Sequence, residues 1–298
     1  MAEARPPIPI PIQREVRQRC GFGCIICGCP LYEYHHMVPY SDTKQHAAEE
    51  LTLLCDKHHK ESTNSLLTEP QVNAANSDPY NVQRGISSPY ALNFQGDVFT
   101  CMIGSNQFTG AIRDENNVAA LIPISIDDID LIWIAIAPDG NLFLNANIFD
   151  ECNLPLLTIV GNWLAYRTET WDIDFQGNTL TVREAARRIF FEVAFEPPNQ
   201  ITINRARLLC NGVEILVRES HIFVVNSGNL LVGNKVENCA IGLQIGRNQR
   251  GLGGAMTVNP VTVSRYFMTS KEILDREHKA KDEMNEMLSR FGINDSVT

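Results

Sequence analysis

Cysteine and histidine residues are concentrated in one short stretch near the N-terminus, residues 20–65. This stretch holds five of the nine cysteines and five of the seven histidines of the 298-residue chain. Sulfur and nitrogen donors at this density are typical of metal binding, because packing alone gives no reason for it. The stretch is too short to form a hydrophobic core of its own. We therefore expect a metal ion to stabilise its fold.

Two pairs of donors within the stretch have the spacing of zinc knuckles. Cys24 and Cys27 are separated by two residues, and so are Cys55 and His58. Each pair places two ligands across a tight turn, and together they predict a closed Cys3His zinc site with no position left for a substrate. The alternative is a set of unrelated buried thiols and a surface histidine, which the paired spacing disfavours. Two further candidate ligands flank the first pair: Cys20 and Cys29.

The order of motifs within the stretch is also specific. The chain contains Cys24-Ile-Ile-Cys27-Gly28, then Glu33-Tyr34-His35-His36-Met37-Val38-Pro39, then Glu50-Leu51-Thr52-Leu53-Leu54-Cys55, and finally His58-His59. Over about residues 15–65 this order resembles the HNH (ββα-metal) endonuclease family. In that family a CxxCG element precedes a His-His or Asp-His pair and a proline. A strand with an Asn-Leu-x-x-Leu-Cys element and a short helix with the last histidine follow.

The resemblance implies a role for the histidines outside the zinc set. His36 corresponds to the family's general base, which takes a proton from the attacking water, and imidazole suits this step near neutral pH. His35 and His59 correspond to the ligands of a catalytic divalent ion, Mg²⁺ or Mn²⁺, which stabilises the leaving oxygen. Glu50 stands where the family has asparagine. We expect it to act in the catalytic set through a different hydrogen bond or a metal contact.

Basic side chains near the motifs are candidate contacts for a DNA backbone. Lys57 and Lys60 lie beside the last histidine, and Arg17 and Arg19 precede the first cysteine pair. Phosphate contact and solvated helix surface explain these four residues equally well. The histidine between the two predicted strands, His46, is interpreted as structural or idle.

Composition and charge limit the function further. Apolar residues at 44% and charged residues at 20% describe an ordinary globular protein with room for two domains. A net charge of −10 argues against a general nucleic-acid-coating protein, which would usually be basic. Residues 1–65 hold 7 basic and 8 acidic side chains, against 18 and 27 in the remainder. We therefore expect weak DNA affinity, and a need for a protein partner, oligomerisation or an activating signal.

The chain carries no pattern of a membrane or secreted protein. Prolines interrupt the apolar residues near the N-terminus, which disfavours a signal peptide. The apolar runs at 118–126 and 131–137 are too short to span a bilayer. We predict a cytoplasmic protein with no membrane partner, in a compartment where reduced thiols suit zinc ligation.

After about residue 91 the hydrophobic pattern takes a period of two and keeps it to about residue 265, which predicts many short strands. Asn211-Gly212 and Gly177-Asn178 are among the predicted hairpin turns. The predicted fold class is α+β, with a small ββα-metal HNH zinc-knuckle domain followed by a larger, mostly antiparallel all-β domain. The β domain is expected to be sandwich- or barrel-like, with a short β-helix as the alternative. The predicted boundaries are 1–65 for the HNH domain, 66–90 for a linker, 91–265 for the β domain and 266–298 for a C-terminal helix.

The predicted C-terminal helix is amphipathic. Thr269-Ser270-Lys271-Glu272 resembles a capping box at its start. Its apolar stripe packs onto the β domain, or pairs with a second copy or a partner. The stripe contains Ile273, Ala280, Met284, Met287 and Phe291.

These observations favour a metal-dependent HNH endonuclease that hydrolyses phosphodiester bonds in DNA. The β region lacks a cluster of catalytic residue types, which favours a sensing or docking role for it. An antiviral-defence or restriction-type effector fits this combination. The alternative is a non-catalytic, zinc-stabilised module that binds nucleic acid or protein, and such a module would lack a second, exchangeable divalent-ion site.

Overall fold

The computed structural model describes residues 6–110, 112–113, 119–251 and 253–259, together with positions 275, 278, 279, 281 and 282. The chain divides into two compact units. Unit 1 comprises Met1–Tyr90 and Ala165–Arg188, and unit 2 comprises Ala91–Leu164 and Ile189–Thr298. The predicted C-terminal helix of residues 266–298 lies outside the described residues except at those five positions.

Helices precede residue 90 in the part of the chain described continuously, and strands dominate after it, in agreement with the α+β class. The helices there are α1 (Ile10–Arg19), α2 (Tyr40–Thr43), α3 (Asp56–Thr63), α4 (Glu69–Ser77) and α5 (Tyr80–Arg84), with a 3₁₀ turn at Ala48–Glu50. The strands are β1 (Glu33–His36), β2 (Leu51–Leu54), β3 (Tyr90–Ala91), β4 (Phe99–Ile103), β5 (Asn106–Gly110), β6 (Ile112–Arg113), β7 (Ala119–Ile126), β8 (Ile129–Ile136), β9 (Leu142–Phe149), β10 (Pro155–Val160), β11 (Trp163–Tyr166), β12 (Asp172–Gln176), β13 (Thr179–Ala185), β14 (Arg188–Glu196), β15 (Gln200–Cys210), β16 (Val213–Arg218), β17 (His221–Val224), β18 (Asn229–Leu231), β19 (Lys235–Glu237), β20 (Ile241–Ile245) and β21 (Gly254–Val258).

A β-hairpin followed by a helix forms the centre of unit 1. β1 and β2 are antiparallel, with Glu33 opposite Leu54 and His36 opposite Leu51. α3 begins two residues after β2, and the acidic Asp56 in its first turn interacts favourably with the helix dipole. α3 packs against both strands. The residues of α3, which follow β2 in sequence, therefore lie next to β1.

The core of unit 1 draws on α1, the first cysteine turn, β2 and α4. β2 is buried on both faces, which explains its continuous apolar sequence. α1 and α4 each turn one apolar stripe inward, as expected of surface helices. The buried core residues are Val16, Cys20, Cys24, Ile25, Ala48, Leu51, Leu53, Leu54, Cys55 and Val72.

Residues 66–90, predicted to be a linker, are instead part of unit 1. α4 begins with a capping box between Thr68 and Gln71, and its Val72 lies in the core. In α5, Asn81 is fully buried. The segment contributes few apolar side chains to the core, so its polar composition hides this packing from a sequence reading.

A hairpin from much later in the chain completes unit 1. β12 and β13 are antiparallel and joined by the predicted turn Gly177-Asn178. Asp172 at the start of β12 accepts hydrogen bonds from Arg17 Nε at 2.9 Å and Arg17 Nη2 at 2.8 Å. By this division the hairpin and residues 66–90 both belong with the ββα element, and unit 1 extends beyond the predicted boundary at residue 65.

Unit 2 contains two open sheets in its described part. One has the strand order β21-β20-β7-β8-β9-β10, and the other has the order β14-β15-β16-β17-β18, to which β4, β5 and β19 are added through β15. Most pairs are antiparallel, although β4–β15, β5–β19, β7–β20 and β20–β21 are parallel. The two sheets contact each other through β5 with β7 and through β15 with β9.

A predicted hairpin turn connects two neighbouring strands of unit 2. Asn211-Gly212 joins β15 to β16 with positive φ at both residues, +49° and +77°, as a two-residue hairpin turn of this type requires. β16, β17 and β18 form an antiparallel meander. The alternative β-helix is therefore not formed here, because its rungs would stack in parallel. Among the described residues, no helix has both the length and the apolar character to cross a membrane.

Candidate functional site

The four predicted zinc ligands meet in unit 1. Their donor atoms all lie within 4.8 Å of one another. Cys27 Sγ is 3.7 Å from Cys55 Sγ, and His58 Nδ1 is 3.3 Å from the Sγ atoms of Cys24 and Cys55. A tetrahedral zinc ion with Zn–S of about 2.3 Å and Zn–N of about 2.0 Å requires S···S and S···N distances of about 3.8 and 3.5 Å. The cluster therefore has the donor set and the spacing of a structural zinc site.

The close approach of the thiols shifts their pKa values. A hydrogen bond with Cys27 lowers the pKa of Cys24 to about 4. The same bond, together with burial, raises the pKa of Cys27. One sulfur is thus prepared as a thiolate, and a bound cation would displace the remaining protons. Glu61 Oε2 lies 3.9 Å from His58 Nε2, where it favours the tautomer that leaves Nδ1 for the metal.

Backbone hydrogen bonds and one buried amide hold the first cysteine turn. The Gly28 N–H donates to the Cys24 carbonyl at 2.7 Å, and the Cys24 N–H donates to the Cys29 carbonyl at 2.9 Å. Asn81 Nδ2 donates to the carbonyls of Gly21 at 3.0 Å and Gly28 at 3.2 Å. Gly28 has a φ of +73°, and a Cβ there would collide with Asn81. Both constraints require glycine at this position.

His35 and His59 lie together, one on β1 and one on α3. Their ring centroids are 5.1 Å apart and the rings are nearly perpendicular. His59 Nδ1 is 3.6 Å from Glu33 Oε2, and His35 Nε2 is 3.4 Å from Ser62 Oγ. Burial lowers the pKa of His35, and the nearby His59 lowers it further. The His35 imidazole is therefore held in the neutral form that binds metals.

His36 has a different set of neighbours, because successive residues of a strand face opposite ways. Its Nε2 is 3.2 Å from His46 Nδ1. His46 Nε2 is in turn 2.9 Å from the Pro6 carbonyl oxygen. The Tyr40 ring stacks on His46 and meets His36 edge-on, with centroids 4.9 and 5.8 Å away. His46, interpreted from sequence as structural or idle, thus contacts the predicted base directly.

A cleft of about 380 Å³ opens beside His35, between β1, the end of α3 and the start of α4. Its volume lies in the range of small-molecule sites, and its walls combine apolar and polar groups as such sites do. The cleft is lined by His35, Met37, Pro39, Ser62, Ser65, Leu67, Thr68, Glu69 and Val72.

Glu50 connects the two strands through its backbone. Its carbonyl accepts a hydrogen bond from the Met37 N–H at 2.9 Å. Its Oε2 is buried and has no hydrogen-bond partner among the described residues. The main chain of Glu50, rather than its side chain, makes this connection. Burial of this oxygen without a hydrogen-bond partner carries an energetic cost.

The two predicted lysine contacts are exposed on α3. Lys57 is 73% exposed and forms an ion pair with Glu61 at 3.9 Å. Such a pair between exposed side chains is weak and is easily exchanged for another anion. Lys60 is also exposed, one residue beyond His59. Both ammonium groups are accessible to a phosphate.

The two predicted arginine contacts are engaged inside unit 1. Arg17 is 2% exposed, and its guanidinium donates to Asp172 and to Tyr34 Oη. Arg19 donates to the Ala48 carbonyl at 2.8 Å and to the Leu51 carbonyl. The Arg17 side chain would have to leave this buried ion pair to contact a phosphate, as the prediction for it requires. Arg19 supports the turn before β2 rather than an open surface.

Sequence reasoning missed three residues that shape the site, His46, Asn81 and Asp172. Each acts through a partner distant in the chain, so no local spacing identifies it.

Comparisons of the chain with protein-family models, with curated proteins and with solved structures each returned no match. Function must therefore be inferred from the geometry and the residue chemistry of the site.

Proposed function

We propose that the protein is a metal-dependent endonuclease of the HNH type that hydrolyses phosphodiester bonds in DNA. The observation that carries this proposal is the pair of imidazoles of His35 and His59, with ring centroids 5.1 Å apart. Two imidazoles that share one cation at metal–nitrogen distances of about 2.1 Å have centroids roughly 4.5–5.3 Å apart. The zinc cluster helps to position this pair, because the zinc ligand His58 is the residue before His59 on α3.

Each histidine then has a chemical role. His36 is the general base that takes a proton from the attacking water. His35 and His59 hold the divalent ion, with water and phosphate oxygens as its other ligands. The ion supplies charge stabilisation at the phosphoryl group and the leaving oxygen. Imidazole is a softer ligand than the oxygens that Mg²⁺ prefers, so we expect Mn²⁺ to bind more tightly than Mg²⁺.

The surroundings of the pair suit a nucleotide. The cleft beside His35 offers polar and apolar walls next to the metal-binding imidazoles. Lys57 and Lys60 on the exposed side of α3 supply positive charge for the backbone. DNA is preferred over RNA as the substrate because of the resemblance to the HNH family.

The charge of the chain favours a regulated enzyme. Because the chain has a net charge of −10, we expect its affinity for DNA phosphates to be low unless a protein partner, oligomerisation or an activating signal raises it. We assign unit 2 to sensing a protein partner or a target, in an antiviral-defence or restriction-type effector that acts as a homo-oligomer or a hetero-complex. A nuclease restrained in this way would not degrade the DNA of its own cell.

The test is cleavage of supercoiled plasmid by the purified full-length protein with Mg²⁺, with Mn²⁺ and with EDTA. We expect metal-dependent nicking, stronger with Mn²⁺, that His36→Ala reduces by about 10²-fold or more, the range of a general base. Asn73→Ala, an exposed position on α4, is the matched control and should nick at the wild-type rate. The zinc content after EDTA treatment shows whether loss of activity comes from the catalytic ion or from the structural one.

The competing function is a non-catalytic, zinc-stabilised binding module. It predicts one tightly bound zinc per chain, no second exchangeable Mn²⁺ site and no difference between the wild type and His36→Ala. Electron paramagnetic resonance of added Mn²⁺, compared with a His35→Ala/His59→Ala variant, measures that second site independently of cleavage. Absence of both Mn²⁺ binding and cleavage would refute the nuclease.

A further inference from the structure

The cleft beside His35 has the size of a site for one small part of a substrate. It lies between β1, the end of α3 and the start of α4, and its volume is about 380 Å³. Sites for small organic ligands span about 300–1,000 Å³, so this cleft is near the lower end of that range. It can enclose one nucleoside. A base pair is too large for it, because the pair brings a second nucleoside and both backbones.

The chemistry of the cleft walls suits a base and its sugar. Apolar side chains provide surface for the faces of an aromatic base, and hydroxyl groups provide hydrogen-bond partners for base and sugar atoms. The apolar side chains include Met37, Leu67 and Val72, and the hydroxyl groups are those of Ser62, Ser65 and Thr68. This mixture favours a neutral, planar ligand.

The charges around the cleft disfavour phosphate groups in its interior. Among its described lining residues, Glu69 is acidic and no lysine or arginine is present. A phosphate inside would therefore lie near a carboxylate without a basic side chain to balance it. Positive charge lies outside the lining, on Lys57 and Lys60 of α3. The uncharged nucleoside is thus the part of a nucleotide that fits inside.

His35 connects the cleft with the imidazole pair. Its ring lies against that of His59, with centroids 5.1 Å apart, and the same residue forms part of the cleft wall. In a DNA strand each nucleoside is bonded directly to the phosphates beside it. A phosphate held at the pair therefore brings its own nucleoside to the mouth of the cleft.

We propose that the cleft binds one unpaired nucleoside next to the scissile phosphate, so that the enzyme cleaves single-stranded or locally opened DNA in preference to an intact duplex. This inference rests on the proposed nuclease function and names its substrate class. A paired nucleoside has to leave the base stack before it enters such a pocket, which costs free energy in a duplex and little in a single strand. Negatively supercoiled plasmid remains a substrate, because supercoiling favours local opening of its strands.

The position of the base can be measured without cleavage. The full-length, zinc-loaded His36→Ala variant is irradiated with Mn²⁺ and a single strand of about 12 nucleotides that carries one 4-thiothymidine. We expect crosslinks in the tryptic peptides of residues 20–44 and 61–84, which together contain all nine lining residues. Tandem mass spectrometry should place the crosslinks on lining residues, and the same strand in a duplex should give a yield about 10-fold lower. Crosslinks confined to residues outside the cleft would overturn the inference.

Two neighbouring leucines test the cleft wall with matched substitutions. Leu67 is half-buried and lines the cleft, whereas Leu66 is 77% exposed and lies outside the lining. Leu67→Ala removes apolar surface and should lower kcat/KM for a single strand about 10-fold, the order expected for the loss of one base contact. Leu66→Ala should leave kcat/KM unchanged. Leu67→Met, which conserves volume, should restore most of it.

The ratio of kcat/KM for a single strand to kcat/KM for the duplex separates a role in binding from a role in folding. We expect this ratio to be about 10 or more in the wild type and to fall in Leu67→Ala. Loss of folded protein would lower both kcat/KM values by the same factor and leave the ratio unchanged. Zinc content and melting temperature of each variant show how much of unit 1 is folded.

Failure of the inference and failure of the nuclease give different results. An active enzyme with equal kcat/KM values for single strand and duplex, or with the same ratio in Leu67→Ala as in the wild type, would refute the nucleoside cleft alone. A wild type that cleaves no DNA, together with crosslinks on the lining residues, would refute the nuclease and leave the cleft as a nucleoside-binding site. Binding of a free deoxynucleoside monophosphate without crosslinking of the strand would overturn the inference and assign the cleft to a free nucleotide.

Discussion

Among the cysteines near the zinc cluster, ligation depends on where the sulfur lies and on how readily it ionises. Cys20 Sγ is 3.6 Å from the Thr52 hydroxyl inside the core, and burial raises the pKa of its thiol. Burial also raises the pKa of Cys29. Neither belongs to the group of mutually close donors. These two thiols therefore remain protonated packing residues, although their positions in the sequence make them candidate ligands.

Replacing Cys24 by serine should remove zinc, whereas replacing Cys29 by serine should not. Cys24→Ser deletes a thiolate from a four-ligand site, and a hydroxyl does not ionise near neutral pH to replace it. Metal content of the purified chains, measured by mass spectrometry, should be one zinc in the wild type and in Cys29→Ser. It should fall well below one in Cys24→Ser. Full zinc occupancy in Cys24→Ser would show that another cysteine completes the site.

The residues of the site differ in how far the sequence predicts them. Spacing predicts the four zinc ligands, because each pair lies within one tight turn whose geometry is local. The contact between His35 and His59 follows from the strand–strand–helix order that the family resemblance implies. The partners of His46 lie 10 and 40 residues away, and those bonds depend on how the loop and the N-terminal arm fold. Arginine is usually found at the protein surface, and the burial of Arg17 depends on its distant partner Asp172.

At the scale of elements, α3 connects the Cys3His cluster to the His35–His59 pair. His58 in its first turn belongs to the predicted zinc cluster, and the next residue, His59, lies next to His35. A helix of eight residues has little stability by itself. The zinc ligand therefore fixes the start of α3 and, through it, the position of His59. Loss of zinc is expected to release the His35–His59 pair as well as the knuckle.

Replacing Asn81 of α5 by alanine should destabilise the zinc knuckle, although Asn81 is not a zinc ligand. The change removes both hydrogen bonds to the carbonyls of Gly21 and Gly28 in a fully buried location. Unpaired buried carbonyls cost about 1–3 kcal/mol each, so we expect a lower melting temperature and faster zinc transfer to a chelator. Gln83→Ala on the exposed side of the same helix is the control. Equal rates of zinc transfer in both variants would show that α5 does not support the knuckle.

Elements with a strong local signal are predicted well from this sequence. The strands of unit 2 and the turns at Gly177-Asn178 and Asn211-Gly212 follow from period-two patterning and turn chemistry, which act over a few residues. A short helix at about 69–76 is predicted within the 66–90 segment and corresponds to α4. α5 is not predicted, because its segment is held mainly through polar contacts such as those of Asn81. Sequence periodicity detects apolar faces and gives no signal for a buried amide.

At the scale of the whole chain, unit 1 is discontinuous, and a buried ion pair links its two segments. Arg17 and Asp172 are separated by 155 residues and are almost inaccessible to solvent. Arg183 also lies 3.3 Å from Asp172. Removing one partner of such a pair costs more than the pair contributes, because the other charge stays buried. A fragment that ends at residue 65 or 90 therefore lacks part of the fold that holds the zinc and the histidines.

Replacing Arg17 by methionine should destabilise the full-length protein but not a fragment of residues 1–90. In the full chain the change leaves the Asp172 carboxylate buried with only weaker partners, and removing one partner of a buried pair typically costs about 3–5 kcal/mol. In the fragment Asp172 is absent, so methionine replaces an arginine that has lost its ion-pair partner and keeps only its hydrogen bond to Tyr34 Oη, and stability should stay equal or rise. Zinc release during thermal unfolding reports on unit 1 in both contexts. Arg205→Ala, which breaks the exposed pair with Glu219, is the control and should cost less than about 1 kcal/mol. An equal loss of stability in the full chain and the fragment would mean that Arg17 acts within residues 1–90 and that the late hairpin is dispensable.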